Sequence, residues 1–298
     1  MSNNKTAIKR SAGEKTFSVF NYIFMIFIMF IMLYPLWYVL VASFSDAVKL
    51  SGHSGLLFKP IGFTFDAYNL MFKNHMILKG YGNTLFVLIV GLVFNMLLTS
   101  MGAYFMSRKN VLFNKPITLM IIFTMYFTGG MIPFYLTVIE LGLKNSLFSI
   151  ILPGAVSTFN LIILRTAFAS IPEALEESAR LDGASHWRIM TQIVLPLSKA
   201  SLSVIALYYA VQHWNAWFNA MLFLDKKELF PLQLVLREIL ITNDTSSMTQ
   251  MVNVGDSSFI GETIKYAVIV VSVVPILCIY PFIQKYFEKG VMIGAVKG

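Results

Sequence analysis

Residues 177–184 read Glu177-Ser178-Ala179-Arg180-Leu181-Asp182-Gly183-Ala184, and Leu195-Pro196 follows a short way downstream. The stretch is charged, carries a glycine where a turn is due, and lies between long apolar runs. It therefore reads as a docking element at a membrane face, joining segments that lie within the bilayer. Pro172, upstream, suits the opening turn of a helix. Glu173, Glu176 and Glu177 then crowd the end of that helix where the dipole is positive. Glu176 and Arg180 are four residues apart and form an expected i,i+4 pair. Gly183 permits the left-handed residue that ends a helix. Ser185 is an N-cap residue type for a second short helix, which runs through Trp187, Ile189 and Met190 into the next apolar run at Pro196. The predicted shape is helix, glycine turn, helix.

The rest of the chain explains why such a segment is conspicuous. Only 13% of the 298 residues are charged and 57% are hydrophobic, with 26 Phe and 17 Met. Soluble domains carry about 25% charged residues. Halving that share, at a mean hydropathy of +0.70, places most of the surface against lipid. The single cysteine, Cys278, sits in an apolar run and offers neither a disulfide framework nor a metal set. The net charge of +8 reads as membrane topology, not as a nucleic-acid patch, because no basic soluble segment alternates with aromatics.

A membrane-spanning helix needs about 20 mostly apolar residues. Six segments qualify: 18–44, 81–107, 116–138, 148–170, 193–223 and 264–283, none of which contains Asp or Glu. The first is too long for the core of a removed signal peptide and is read as a retained span. Dense basic segments mark the cytoplasmic side. Lys5, Lys9, Arg10 and Lys15 precede span one, Arg108, Lys109 and Lys115 follow span two, and Lys285, Lys289 and Lys297 follow span six. The lysines of the opposite loops, Lys49, Lys59, Lys73 and Lys79, are spread thinly. Both termini are therefore expected in the cytoplasm. The expected fold class is an all-α membrane protein of six transmembrane helices. It divides into a cytoplasmic N-terminus (1–17), a six-helix transmembrane domain (18–283) and a cytoplasmic tail (284–298). The domain includes a cytoplasmic loop at 171–196 and outer loops at 45–80 and 224–263. Thr128-Gly129-Gly130 and Pro133 interrupt span three, and Pro153-Gly154 interrupts span four. Such breaks are either ordinary kinks or the shaping of a cavity, since backbone at membrane depth must be satisfied by protein or water.

Several chemistries are excluded by what the chain lacks. It has no G-x-x-x-x-G-K-[ST] phosphate loop, so ATP and Mg, if used, are bound elsewhere. Gly183-Ala184-Ser185-His186-Trp187 starts like a nucleophile elbow, but tryptophan replaces the second glycine. His53, His75, His186 and His213 fall in separate segments. No enzyme site and no metal site is expected. One polar and aromatic run stands out in span five: Tyr208, Tyr209, Gln212, His213, Trp214, Asn215, Trp217 and Asn219. Rings and amides of this kind suit a sugar path by stacking and hydrogen bonding, and equally suit an interfacial belt or helix packing.

Glu177-Ser178-Ala179, Asp182-Gly183-Ala184, Ile193, Leu195 and Pro196 together resemble the EAA signature of ABC importer permeases. The extended form, with Leu-Asp-Gly-Ala and a tryptophan soon after, is typical of carbohydrate importers. Ser178 departs from the usual alanine but keeps the residue small. Residues 214–219, Pro231-Leu232-Gln233-Leu234 and the tail 289–298 are similar to the corresponding parts of the polysaccharide-linked subgroup, so the resemblance runs through nearly the whole chain. It implies a type I importer fold in a bacterial cytoplasmic membrane. Two permeases would form the pore, two cytosolic ATPases would drive it, and an extracellular solute-binding protein would deliver an oligosaccharide. The ATPase-coupling loop would comprise Glu173, Glu176, Glu177, Ser178, Ala179, Arg180, Asp182, Gly183, Ala184, Trp187, Leu195 and Pro196, with a carboxylate such as Glu177 meeting a basic residue of the ATPase. The outer loop at 224–263 would reach toward the docked binding protein. The alternative is a self-sufficient secondary transporter or channel. Against it stands the lack of carboxylates within the spans, where an ion-coupled carrier needs them.

Overall fold

A computed structural model of the chain describes residues 11–109, 111–241, 261 and 263–278. Every regular element among them is helical. The basic residues Lys5, Lys9, Arg10, Lys285, Lys289 and Lys297, the tail 289–298, the end of expected span six and the loop middle 243–256 lie outside the described residues.

The chain divides into two compact units, Met1–Met71 with Met248–Val270, and Phe72–Ser247 with Val271–Gly298. In the first, α1 (Ala12–Ser43) opens with a capping box in which Ser11 and Glu14 satisfy each other's backbone N–H groups. Its 32 residues would reach about 48 Å, more than the roughly 30 Å hydrocarbon core requires. Phenylalanine, isoleucine and methionine side chains stand exposed all around it, as on a helix surrounded by lipid. Near its end Tyr34 accepts from the Leu57 N–H (3.0 Å) and the Trp37 indole donates to the Phe58 carbonyl (3.1 Å). These bonds fold the segment carrying the short α2 (Ala47–Ser51) back over Val41 and Ala42. The helix α3 (Asp66–Lys73) follows.

The second unit is organised by α4 (His75–Ser107). One stripe of it is buried and consists largely of small or polar residues: Gly80, Thr84, Gly91, Asn95, Thr99 and Ala103. Within a bilayer such residues let helices approach closely and bond across the gap. Then come α5 (Asn114–Tyr126), α6 (Met131–Glu140), α7 (Phe148–Ile151), α8 (Thr158–Ala169), α9 (Glu173–Leu181) and α10 (His186–Ile189). A π-helical turn, Met190–Val194, leads into α11 (Leu195–Leu197), α12 (Lys199–Trp214) and α13 (Trp217–Phe223). The unit continues through α14 (Leu232–Ile241), and a further helix, α15 (Thr263–Cys278), belongs up to Val270 to the first unit and from Val271 to the second. The core lies where α4, α8, α10 and α12 meet, around Tyr104, Leu164, Phe168, Ile189, Val194, Ile205 and Tyr209.

The structure departs from the expected spans in specific ways. Two described helices, α1 and α4, are long and apolar enough to cross a membrane, and the number rises to 4 if each bent pair counts as one span. Span two begins at His75 and not at 81, because Asn74 caps the helix with its side chain (2.8 Å to the Met76 N–H). Span three is not a kinked rod. The helices α5 and α6 meet at 113°, with Gly130 at φ +86° in the break. Pro133 causes no break, since it sits in the first turn of α6, where its missing N–H costs nothing. Span four is broken after α7, and α8 restarts on the Ser157 cap. Expected span five, 193–223, is three pieces: α11 turns 87° into α12 at Ser198, and Asn215-Ala216 separates α12 from α13. The loop beginning at 224, expected on the outer side, contains regular structure, because α14 occupies part of it.

Candidate functional site

The segment α9–α11 folds as its residues dictate. Pro172 is the N-cap of α9, one position earlier than the sequence suggested. Asp182 ends the helix and Gly183 takes φ +78°. The Ala184 N–H donates to the Ala179 carbonyl and the Gly183 N–H to that of Arg180, both at 2.9 Å. This is a Schellman motif, and it satisfies two carbonyls that the helix end would otherwise leave open. Ser185 then caps α10 by accepting from the Arg188 N–H at 3.3 Å. Pro196 lies in the first turn of α11, where it is tolerated.

One face of this hairpin is held from inside. Glu176 is 4% exposed and pairs with Arg108, the residue that caps the C-terminal end of α4. The Arg108 guanidinium also donates to the Phe168 carbonyl at the end of α8 (3.4 Å) and stacks over the Tyr104 ring at 4.7 Å. The Tyr104 hydroxyl in turn bonds His186 Nδ1 at 3.1 Å. The expected Glu176–Arg180 pair exists but is long, at 3.9 Å. Lys109 and Glu173 form an exposed pair at 2.7 Å, and the ammonium holds the Glu173 carboxyl below the usual carboxylate range. A cavity of about 600 Å³ opens beside these contacts, lined by Arg108, Arg165, Glu176, Arg180 and His186 among others.

The opposite face is free of such ties. Leu175, Leu181 and Trp187 are exposed, Leu181 at 89%, and Glu177, Ser178, Asp182 and Gly183 are exposed beside them. Ala179 and Ala184 pack against the core, and Leu195 is packed there too. The loop thus presents an apolar edge with a carboxylate rim, on a body fixed to the core. Sequence reasoning missed Arg108 and Tyr104, since both lie far away in the chain. The available signal was Glu176 itself: a carboxylate on the same helical face as the inward-packed Ala179 needs a buried cation.

The eight residues of the candidate substrate path do not form one surface. Tyr209 is fully buried, with its hydroxyl 2.7 Å from Thr99 Oγ1 and accepting from the Ser157 N–H at 2.8 Å. His213 Nε2 lies 2.6 Å from Asn95 Oδ1, and Asn95 donates to the Gly154 and Ala155 carbonyls at 2.8 and 2.9 Å. Tyr209 thus satisfies the break in expected span four directly, and His213 does so through Asn95. Trp214 is also buried, against Tyr81. Tyr208, Gln212 and Asn215 lie on another, exposed face of α12, and Phe159 stands beside Tyr208. Trp217 is exposed on α13 with the Arg237 guanidinium 5.2 Å above its ring, while Asn219 is half-buried.

Residues 102–293 match the family model described as "Binding-protein-dependent transport system inner membrane component". The chain is 40% identical over 286 residues to the polygalacturonan/rhamnogalacturonan transport system permease protein YtcP of Bacillus subtilis, covering 96% of this chain and 99% of that one. It is 38% identical over 284 residues to the protein LplC of the same organism, covering 95% and 96%. Among solved structures it is similar to a chain of a bacterial ABC transporter involved in the import of the acidic polysaccharide alginate, with a TM-score of 0.87 and 31% identity over 94% of this chain and 100% of that one. This chain belongs to the family of inner-membrane components of binding-protein-dependent transport systems, and is a non-enzymatic permease subunit of an ABC transporter.

Proposed function

We propose that this permease carries an acidic oligosaccharide inward through a bacterial cytoplasmic membrane, and that the α9–α11 hairpin receives the movement of a cytosolic ATPase. The observation that carries the second part is the hairpin's two-sidedness. Glu176 and His186 tie it to Arg108 and Tyr104 of α4, while Leu175, Leu181 and Trp187 are exposed apolar side chains with Glu177 and Asp182 exposed beside them. An element meant to transmit displacement needs both a docking face and a rigid back. The chain acts with a second homologous permease, two ATPase subunits that bind ATP and Mg, and an extracellular binding protein. Supporting this reading, the dense basic segments of the sequence suggest that both termini are cytoplasmic, which puts the hairpin on the same side as the ATPase.

The substrate class rests on the relatives. One is named for polygalacturonan and rhamnogalacturonan transport, and another serves import of an acidic polysaccharide. Within this chain, the exposed Tyr208, Gln212 and Asn215 face of α12 suits a hydrated sugar path, because amides on a span are costly against lipid. The test is uptake by vesicles containing the assembled complex. ATP-dependent accumulation of a galacturonate or mannuronate oligomer, requiring loaded binding protein, is the expected result. Uptake driven by an ion gradient through this chain alone, or uptake of neutral oligomers only, overturns the proposal.

A further inference from the structure

Tyr104 and Arg108 stand one turn apart at the end of α4 and grip the hairpin on both sides of its glycine turn. Arg108 holds Glu176 of α9, and Tyr104 holds His186 of α10. The two gripping side chains brace each other, with the guanidinium 4.7 Å above the ring, and Arg108 reaches the α8 end through the Phe168 carbonyl. On the other side, the hairpin's own continuation into α12 is bent by 87° at Ser198, so a push along α10 is not passed axially into α12. We propose that Tyr104 and Arg108 are positioning residues for coupling: they receive the hairpin's displacement and hand it to α4, which carries Asn95, and to α8, which follows the break in expected span four. This rests on the reading of the hairpin as the ATPase contact.

The neighbouring cations are engaged elsewhere or distant: Lys109 pairs with Glu173 and Arg165 donates to the Met106 carbonyl. Arg180 approaches Glu176 only at 3.9 Å and is itself partly exposed, so it cannot replace the Arg108 fork. A lysine at 108 keeps the charge but not the second arm to Phe168.

The experiment uses the assembled complex in vesicles with loaded binding protein, and reads oligosaccharide imported per ATP hydrolysed. Arg108→Ala should lower that ratio by about tenfold, a change of about 1.4 kcal/mol in coupling, with Arg108→Lys intermediate and Tyr104→Phe lowered in the same direction. Should Arg108→Ala fail to assemble, the neutral pair Arg108→Met with Glu176→Gln leaves no buried charge unpaired and should show the same loss. An unchanged ratio in whichever of these variants assembles overturns the proposal, as does a fall in uptake matched by an equal fall in hydrolysis. Gly183→Val, run in parallel, separates the two readings. Normal coupling there removes the hairpin as the ATPase contact, whereas normal coupling in Arg108→Ala beside uncoupled Gly183→Val removes only the α4 route.

Discussion

Adding one methyl group at Gly91 should cost the protein more than most losses of whole side chains at its surface. A Cβ built there would sit 2.4 Å from His213 Nε2, 2.7 Å from Cε1 and 3.0 Å from Cδ2. The imidazole cannot turn aside without surrendering Asn95, and Asn95 is the donor that satisfies the Gly154 and Ala155 carbonyls. Overpacking a tight core costs about 1–3 kcal/mol. A buried polar group left unpaired adds about 1–3 kcal/mol. The sum for Gly91→Ala is therefore about 2–6 kcal/mol, and at about 2 °C per kcal/mol the unfolding midpoint should drop by at least ~4 °C. The assay is thermal unfolding of the detergent-solubilised complex, followed by tryptophan fluorescence. The double variant Gly91→Ala with His213→Ala removes the obstructing ring and should lose less than the two single changes added together. An unchanged midpoint for Gly91→Ala would refute the packing described between α4 and α12.

Further outcomes follow from other contacts. Tyr209→Phe leaves the Thr99 hydroxyl and the Ser157 N–H without their partner, so it should destabilise by about 1–3 kcal/mol in the same melt and leave substrate preference unchanged. Gln212→Ala, on the exposed face of α12, should do the reverse: a raised KM for uptake with an unchanged midpoint. At Gly183 a Cβ meets nothing within 4 Å, so only the backbone at φ +78° resists substitution, by about 1–2 kcal/mol. Asparagine, which tolerates that conformation, should keep transport while valine loses it. Lys144 lies 3.0 Å from Asp225, holding that carboxyl below its usual range, while its own ammonium is raised. A depressed carboxylate stabilises above its ordinary pKa of about 3.9 and fails as pH falls through the lower folded value. The raised ammonium contributes below its ordinary value of about 10.4 and fails as pH rises through the higher one. Any difference in midpoint between wild type and Asp225→Asn should thus be constant around neutral pH and vanish in acid.

The hairpin was legible in the sequence because its determinants are local. Gly183, Ser185 and the acidic first turn of α9 each act within a few residues, and single-residue chemistry fixes what they do. The breaks at Gly129-Gly130 and Pro153-Gly154 were legible for the same reason, though not the 113° angle, which depends on what each half packs against. The anchoring of the hairpin was not legible. Arg108 looked like one of three cations marking a cytoplasmic loop, and nothing in its neighbourhood announces Glu176. The candidate substrate path divides into buried and exposed residues in an instructive way. Tyr209 and His213 are spaced four apart, as are Asn95 and Thr99 on α4, and the two polar stripes bond to each other. Polar side chains on a span join helices as readily as they line a path, and composition alone cannot separate the two uses.

The central claim is that the α9–α11 hairpin meets an ATPase subunit. Cys278 is the chain's single cysteine, so Cys278→Ser provides a background in which one introduced thiol can be followed. Ser178 is exposed on α9 and close to cysteine in size. In the assembled complex, Ser178→Cys should cross-link to the ATPase subunit through a short bifunctional thiol reagent, with a yield that changes when nucleotide is added. A cysteine placed at Leu141, exposed between α6 and α7, should give no such product. Cross-linking from position 141 and none from position 178, in a complex that still hydrolyses ATP, would contradict the account.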